Sequence, residues 1–390
     1  MEQCPHLTQC GLSNAVLLEA MFCLRWTVDG NARTVIDYKN MGSEELGSVY
    51  ESLLELVPQL DPLRRSFGFF GIDFEGSTAG NARKTTGSYY TNASLVECLI
   101  KSNLDPLIEE KLSQSSRRHG VLKDSIIDSN ADNKNIEQKI LSITVIDPAC
   151  GSGHFLLAAA RRLADRLAFI RSQSKEFSNN ALQQDTISPA DLYRKSLRDV
   201  ISSCIYGVDL NPMGVELARM ALWLEGHEPG KPLSFLDHHI RCGNSIVGVM
   251  DFDVLSNSIP DDAYKALSGD DKECAAAFKK RNKTERESKI NSGMDLFEDP
   301  VKKSTAELAV FHWKLEHTKN NNLADVEEKQ SLFANLLKSP EYRNLRTACD
   351  LYISAFYAEK KGKTPPNFSV VPTTLDVQKA CAGKQNLLKR

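Results

Sequence analysis

The run Asp147-Pro-Ala-Cys-Gly-Ser-Gly-His-Phe155 constrains this chain more than any other part of it. Just before it, Ile143-Thr-Val-Ile-Asp147 is short, apolar and β-branched, the signature of a buried strand. Just after it, Phe155, Ala159, Leu163, Leu167 and Ile170 recur at helical spacing. A strand therefore turns into a helix through Gly151 and Gly153, which let the backbone bend tightly and approach a ligand unobstructed by side chains. The N–H groups that open such a helix suit a carboxylate. The lysine and hydroxyl residue of a phosphate-binding P-loop are missing, which disfavours a nucleoside triphosphatase.

The same alternation continues downstream. Leu192–Ile201 reads as helix, Cys204–Asp209 as strand, Met213–Leu224 as helix and Ile240–Gly243 as a third strand. Strands alternating with helices predict a parallel α/β sheet. Asp209, in Tyr206-Gly-Val-Asp-Leu-Asn-Pro-Met213, ends the second strand, where an acidic side chain can accept hydrogen bonds from ribose hydroxyls. Its separation from Asp147 exceeds the ~20 residues of a dinucleotide fold, and the polar stretch 172–190 accounts for the excess. The alternative makes Asp209 a helix cap ahead of Pro212.

Elsewhere the pattern is weaker. Residues 12–65 read as helical, with Leu46, Val49, Leu53, Leu54 and Val57 at helical spacing and Pro58 closing the run. Phe67–Phe74 followed by the turn-rich Gly76–Asn81 predicts a short hairpin. A helix is expected from Ser94 to Lys111, an exposed loop over Ser113–Asn135, a charged loop over Asp251–Lys302, helix over Ser304–Tyr357 and linker over Lys360–Thr374. Three regions follow: a helical 1–80, an α/β core over 81–250, and a charged and helical 251–390. The formal net charge is −3, against the basic balance of a free-standing DNA-binding domain, so any DNA grip is expected to lie mainly elsewhere. With no apolar run near the ~20 residues of a membrane span and no leader-like start, we expect a soluble, cytoplasmic protein without a membrane partner. Ten scattered cysteines without a C-x-x-C pair read as reduced thiols. The set Cys4, His6, Cys10 and Cys23 fits no usual zinc spacing, so no metal is expected.

The block Asp147–Phe155 resembles motif I of the adenine-N6 DNA methyltransferases, in which this turn surrounds the methionine part of S-adenosylmethionine. That resemblance makes Asp147, Ala149, Gly151, Gly153 and Phe155 candidate cofactor contacts, with Asp209 on the ribose. Gly87-Ser-Tyr-Tyr-Thr91 resembles motif X, implying that Tyr89 and Thr91 touch the methionine end. Its place upstream of motif I marks the gamma class. Ile240-Arg-Cys-Gly-Asn-Ser-Ile-Val-Gly248 resembles motif III, implying that Asn244 bonds the cofactor's adenine. A turn-forming Asn after Gly is the other reading. Leu46–Leu54, Ser339-Pro-Glu-Tyr-Arg343 and Ala348-Cys-Asp-Leu-Tyr352 look like the large type IIG restriction–modification methylases and the phage-defence methylases of the BREX and DISARM type. The likeness covers most of residues 40–380 and is specific from 83 to 248. It implies a Rossmann-like methyltransferase fold, S-adenosylmethionine as cofactor and adenine in duplex DNA as substrate.

The family's Asn-Pro-Pro-aromatic motif accepts the adenine's amine hydrogens and stacks on the extruded base. This chain lacks it. Asn211-Pro212-Met213 belongs to the ribose-binding turn, and Pro365-Pro366-Asn367-Phe368 has the order reversed. No catalytic residue is therefore assigned. The expectation is a part of an adenine methyltransferase, inactive alone and completed by a downstream polypeptide. The alternatives are a non-catalytic regulatory module of a defence complex and a relative acting on RNA or protein.

Overall fold

A computed structural model describes residues 11–29, 32–38, 49, 57–61, 63, 66–70, 91–118, 130–173, 188–291, 300–362 and 370–384. The chain divides into two compact units, Met1–Tyr90 and Thr91–Arg390.

The described part of the first unit differs from a helical reading. Helix α1 (Asn14–Arg25) is capped by Ser13, and Val49, within the expected helical run, is also helical. Helix α1 is followed by an antiparallel pair, β1 (Trp26–Asp29) and β2 (Ala32–Val35). A second pair joins β3 (Val57–Asp61) to β4 (Ser66–Phe70). The hairpin at Phe67 therefore exists, with its partner upstream in β3. Pro58 sits inside β3. A two-stranded ribbon has only edge strands, the one place in a sheet where proline's missing N–H is tolerated.

The second unit holds the parallel sheet. Helix α2 (Ala93–Leu99) runs through a π-helical turn, Ile100–Leu104, into α3 (Asp105–Arg118), and α4 (Asn130–Leu141) follows. Helix thus occupies both ends of the stretch expected to be loop. Next come β5 (Val145–Asp147), α5 (His154–Ser172), α6 (Pro189–Cys204), β6 (Ile205–Asp209), α7 (Pro212–Glu225) and β7 (Ile240–Cys242). The strands lie in the order β5-β6-β7, all parallel, with Ile146 opposite Tyr206 and Asp209 opposite Cys242.

Side-chain alternation decides which face of this sheet is covered. Ile205, Gly207 and Asp209 are buried, in one core with Ala159, Leu163, Leu167 and Ile170 of α5 and Leu197, Val200 and Ile201 of α6. Fully burying one such leucine stabilises the fold by about 1.5–3 kcal/mol. The opposite face carries Ile146, which is 63% exposed, so the strand expected to be buried is covered on one face only. Helix starts are written in the sequence: Ser188 caps α6 with Pro189 at its first turn, and Asn211 caps α7 with Pro212.

Beyond residue 250 lie a short helix α8 (Asp253–Ser256), then α9 (Lys272–Asn291), α10 (Pro300–His317), α11 (Leu323–Lys338), α12 (Pro340–Tyr357) and α13 (Thr374–Cys381). The expected charged loop contains the 20-residue helix α9. A second core of Leu255, Ile259, Tyr264, Phe278, Leu345 and Val377 holds this region together. Buried Asn282 donates to Ile259 O (2.8 Å) and accepts from Thr374 N (2.9 Å) and Thr374 Oγ1 (2.7 Å). Lys360 and Thr373 are also buried, so the two ends of the expected linker pack as structure. Arg198 of α6, 4% exposed, donates to Pro232 O (2.6 Å) and to Asn320 O (2.7 Å) between α10 and α11. Among the described residues no helix is long and apolar enough to cross a membrane.

Candidate functional site

Parallel strands deliver their C-terminal ends to one edge of the sheet, where ligands of open α/β folds bind. Here β5 ends on Asp147, β6 on Asp209, and β7 leads into Gly243-Asn244. The loop after β5 turns at Gly151 (φ 51°) and Gly153 (φ 88°), in the left-handed region that glycine occupies without strain. A Cβ on Gly153 would sit 3.2 Å from Ala218 Cβ, so this glycine also allows α5 and α7 to approach closely. A Cβ on Gly151 would meet nothing within 4 Å, which leaves open space beside the turn. Gly153 caps α5 without a side-chain hydrogen bond.

Two loops that are distant in sequence are bonded together here. Cys150 N donates to Val208 O (3.0 Å), and Gly151 N donates to Asp209 Oδ2 (2.8 Å). Asp209 Oδ1 accepts from Asn211 N (2.8 Å), and Asp209 O accepts from Gly243 N (2.9 Å). Asp209 is 8% exposed, yet the capping of α7 belongs to Asn211, whose side chain accepts from Met213 N (3.0 Å). The cap alternative for Asp209 is thereby replaced by a clasp between the first and second strand-end loops. A carboxylate offers about four acceptor sites, so each oxygen keeps a lone pair beyond its backbone bond. Gly214 stands at the crossing, where an added Cβ would lie 3.3 Å from both Asp209 Oδ1 and Gly151 O. Sequence reasoning missed Asn211 and Gly214; the Asn-Pro dipeptide after a strand-ending Asp was the available signal.

Asp147 Oδ1 accepts from Ala149 N (3.0 Å). Burial raises the Asp147 pKa, the Ala149 N–H lowers it, and the Asp209 charge raises it again. Two neighbouring carboxylates at a turn favour a positively charged ligand. Burial, then Asp209 and Asp147, push the Cys150 thiol up to about 12, so it is no nucleophile. Phe155 is half-buried against the core. Asn244 is exposed, and its Oδ1 accepts from Ile246 N (3.1 Å), which is turn geometry. Thr91 is half-buried just ahead of α2, which packs on α5. Tyr89 lies outside the described residues, as do Cys4, His6 and Cys10 of the dismissed zinc set. In the basic run Lys279-Lys280-Arg281 on α9, Lys279 pairs with Asp261 (3.7 Å) and Arg281 with Glu285 (2.9 Å).

The donor set fits S-adenosylmethionine, which is cationic at sulfur and at its amine: two carboxylates, a glycine turn with open space beside it, and a helix start without a capping side chain. Comparison with known proteins points the same way. Residues 123–234, from the segment before β5 to beyond α7, match the family of the MmeI DNA-methyltransferase domain. A Methanocaldococcus jannaschii protein named as a type II restriction enzyme and methyltransferase is 27% identical over 247 residues, 56% of this chain and 18% of its own length. DNA methyltransferase A of Bacillus subtilis is 24% identical over 190 residues, 45% of this chain and 19% of its own. No solved structure matches. The alignments thus span about a fifth of these relatives. Residues 123–234 thus resemble an MmeI-type DNA-methyltransferase domain, and both of these relatives bear methyltransferase names.

Proposed function

We propose that the strand ends of β5–β7 bind S-adenosylmethionine in a Rossmann-like fold, as the cofactor-holding part of a gamma-class adenine-N6 DNA methyltransferase of the type IIG, BREX or DISARM kind. The observation that carries this reading is the clasp from Gly151 N to Asp209 Oδ2, which sets the two cofactor motifs side by side. Asp147, Ala149, Gly151, Gly153 and Phe155 line the methionine end with Thr91, and the motif X resemblance assigns Tyr89 to the same role. Asp209 receives the ribose hydroxyls on its remaining lone pairs, and Asn244 stands toward the adenine. When bound, the cofactor supplies a methyl group already activated by the positive sulfur. The chain's part is to bind, orient and neutralise.

Adenine methylation also requires a group that accepts the amine hydrogens, and within these 390 residues the Asn-Pro-Pro-aromatic motif does not occur. These residues alone therefore bind cofactor without methylating adenine, and a further polypeptide carrying the motif contacts DNA and completes the site. The missing motif equally favours a second reading, a cofactor-binding regulatory module. The ribose assignment is tested by calorimetry with S-adenosylhomocysteine and its 2′-deoxy analogue. A hydrogen bond to a charged group contributes about 1.5–3 kcal/mol, so loss of the hydroxyl should weaken wild-type binding by roughly one to two orders of magnitude. The folded Asp209→Ala protein should discriminate far less. Equal discrimination by both proteins would remove Asp209 from the ribose. A radiolabelled-methyl assay on adenine duplexes, with and without the motif-bearing polypeptide, separates the two readings. Transfer only in the mixture supports the methyltransferase, and none in either supports the regulatory module.

A further inference from the structure

At the other end of the sheet, where β6 and β7 begin, the protein buries a second group of converging polar atoms. His238 and His239 form the turn into β7, and Glu316 lies in the last turn of α10. The side chains of His238 and His239 are 5% and 0% exposed, and that of Glu316 is 20% exposed. Glu316 Oε1 is 3.5 Å from His238 Nε2 and 3.4 Å from His239 Nε2. None of these atoms has a hydrogen-bond partner, and His238 Nδ1 has none either. Two imidazoles with unpartnered Nε2 atoms and a carboxylate oxygen at this depth call for a ligand.

The geometry points to a divalent transition-metal site of the zinc class, held by His238, His239 and Glu316. Two ligands at about 2.0–2.1 Å from a tetrahedral ion lie about 3.3–3.4 Å apart, close to the observed separations. His239 is oriented as metal-bound histidines are, with Nδ1 donating to Ile205 O (2.8 Å) and Nε2 left as the acceptor. Tyr206 stacks on the His239 ring at 4.1 Å and Phe235 on the His238 ring at 5.4 Å, fixing both planes. His312 Nδ1, 3.9 Å from the same Glu316 oxygen and with its side chain 63% exposed, stands at the open side where a fourth ligand or water enters. Buried Lys329 acts on Glu316 through its charge, and a bound ion competes with it. Because His238 and His239 belong to the start of β7 and Glu316 to α10, the ion fastens the C-terminal helices to the sheet, at the end away from Asp147 and Asp209. Its role is structural.

The test uses the whole chain, freed of metal with a chelator and titrated with zinc chloride in a calorimeter and with cobalt(II) chloride in a spectrophotometer. One equivalent of zinc should bind, cobalt should show the strong visible bands of a tetrahedral site, and the melting temperature should rise with zinc. Glu316→Gln and His239→Ala should each weaken zinc about 100-fold, and the exposed His227→Ala control should not. Lys329→Met should tighten zinc, because it removes a competing cation. S-adenosylhomocysteine affinity should be unchanged by zinc. Wild-type cobalt spectra without tetrahedral bands, or zinc binding equal in wild type and Glu316→Gln, overturn the site. Should a histidine variant fail to fold, the wild-type cobalt spectrum and the direction of the Lys329→Met effect decide.

Discussion

Replacing Gly153 by alanine tests whether the first strand-end loop is held as tightly as its contacts require. Two costs are combined. With φ at 88°, a residue bearing a Cβ is strained by roughly 1–3 kcal/mol. The new Cβ would stand 3.2 Å from Ala218 Cβ and 3.3 Å from Ala218 Cα, inside ordinary contact distance. Ala218 is fully buried on α7, so its backbone cannot swing aside. Overpacking of this kind adds typically about 1–3 kcal/mol. Gly153→Ala should thus lose roughly 2–6 kcal/mol. Gly151→Ala separates the two terms, because its φ of 51° is also left-handed but its Cβ would meet nothing within 4 Å. That variant should lose only about 1–2 kcal/mol. Urea unfolding followed by circular dichroism reads both, and with m near ~3 kcal/mol/M the Gly153→Ala midpoint should fall by about 1 M at constant m. Adding Ala218→Gly should recover part of the Gly153→Ala loss, although glycine inside a helix itself costs about 1 kcal/mol. Equal losses at Gly151 and Gly153, or no coupling between Gly153 and Ala218, would refute the packing argument.

Three other outcomes are expected. Gly214→Ala pushes on Asp209 Oδ1 and Gly151 O and should weaken S-adenosylhomocysteine about tenfold in calorimetry, and an unchanged affinity would deny that the clasp shapes the site. Binding of the cationic cofactor favours ionised Asp147, whose pKa stands above the ordinary 3.8. Affinity should therefore be full above that raised pKa and fall as pH drops through it, and Asp147→Asn should flatten the profile. Arg198→Met removes a buried guanidinium from two carbonyls and should cost about 2–4 kcal/mol in urea unfolding; a loss below ~0.5 kcal/mol would show that the tie to Asn320 is idle.

How much of this was legible in the sequence depended on where each element buries its side chains. The parallel strands could be read because β-branched runs ended in Asp and Gly, and α5 because Ala159, Leu163, Leu167 and Ile170 all face one core. Helix α9 was missed because much of its anchoring comes from Asn282, a polar residue made buriable by partners at Ile259 and Thr374. Its buried apolar residues, Cys274, Ala275 and Phe278, occupy only the first half, so no apolar stripe runs its length. The ribbons of the first unit were misread because Pro58 looks like a helix stop, while on an edge strand it is harmless. The pair His238-His239 stood in plain view, but its third member Glu316 arrives from a helix far along the chain, a proximity that only the fold creates.

Asp209 shows why the bland and the functional readings of one residue need not compete. A carboxylate that only capped α7 would have no reason to leave that work to Asn211 two positions later. One that only awaited a ribose would be free to rotate, and ordering it would cost binding energy. Asp209 instead takes one backbone N–H from each loop, Gly151 on one oxygen and Asn211 on the other. Both oxygens are thereby fixed in direction, with lone pairs still available. The desolvation that burial imposes is met by the same two N–H groups. Asparagine at this position would place an amide N–H against one of those donors, so Asp209→Asn should damage the loop as well as the site. Asp209→Glu should keep the charge but shift the carboxylate by one methylene, losing cofactor affinity through misplacement alone. If Asp209→Glu bound S-adenosylhomocysteine as tightly as wild type, charge and not fixed geometry would be what this strand end contributes.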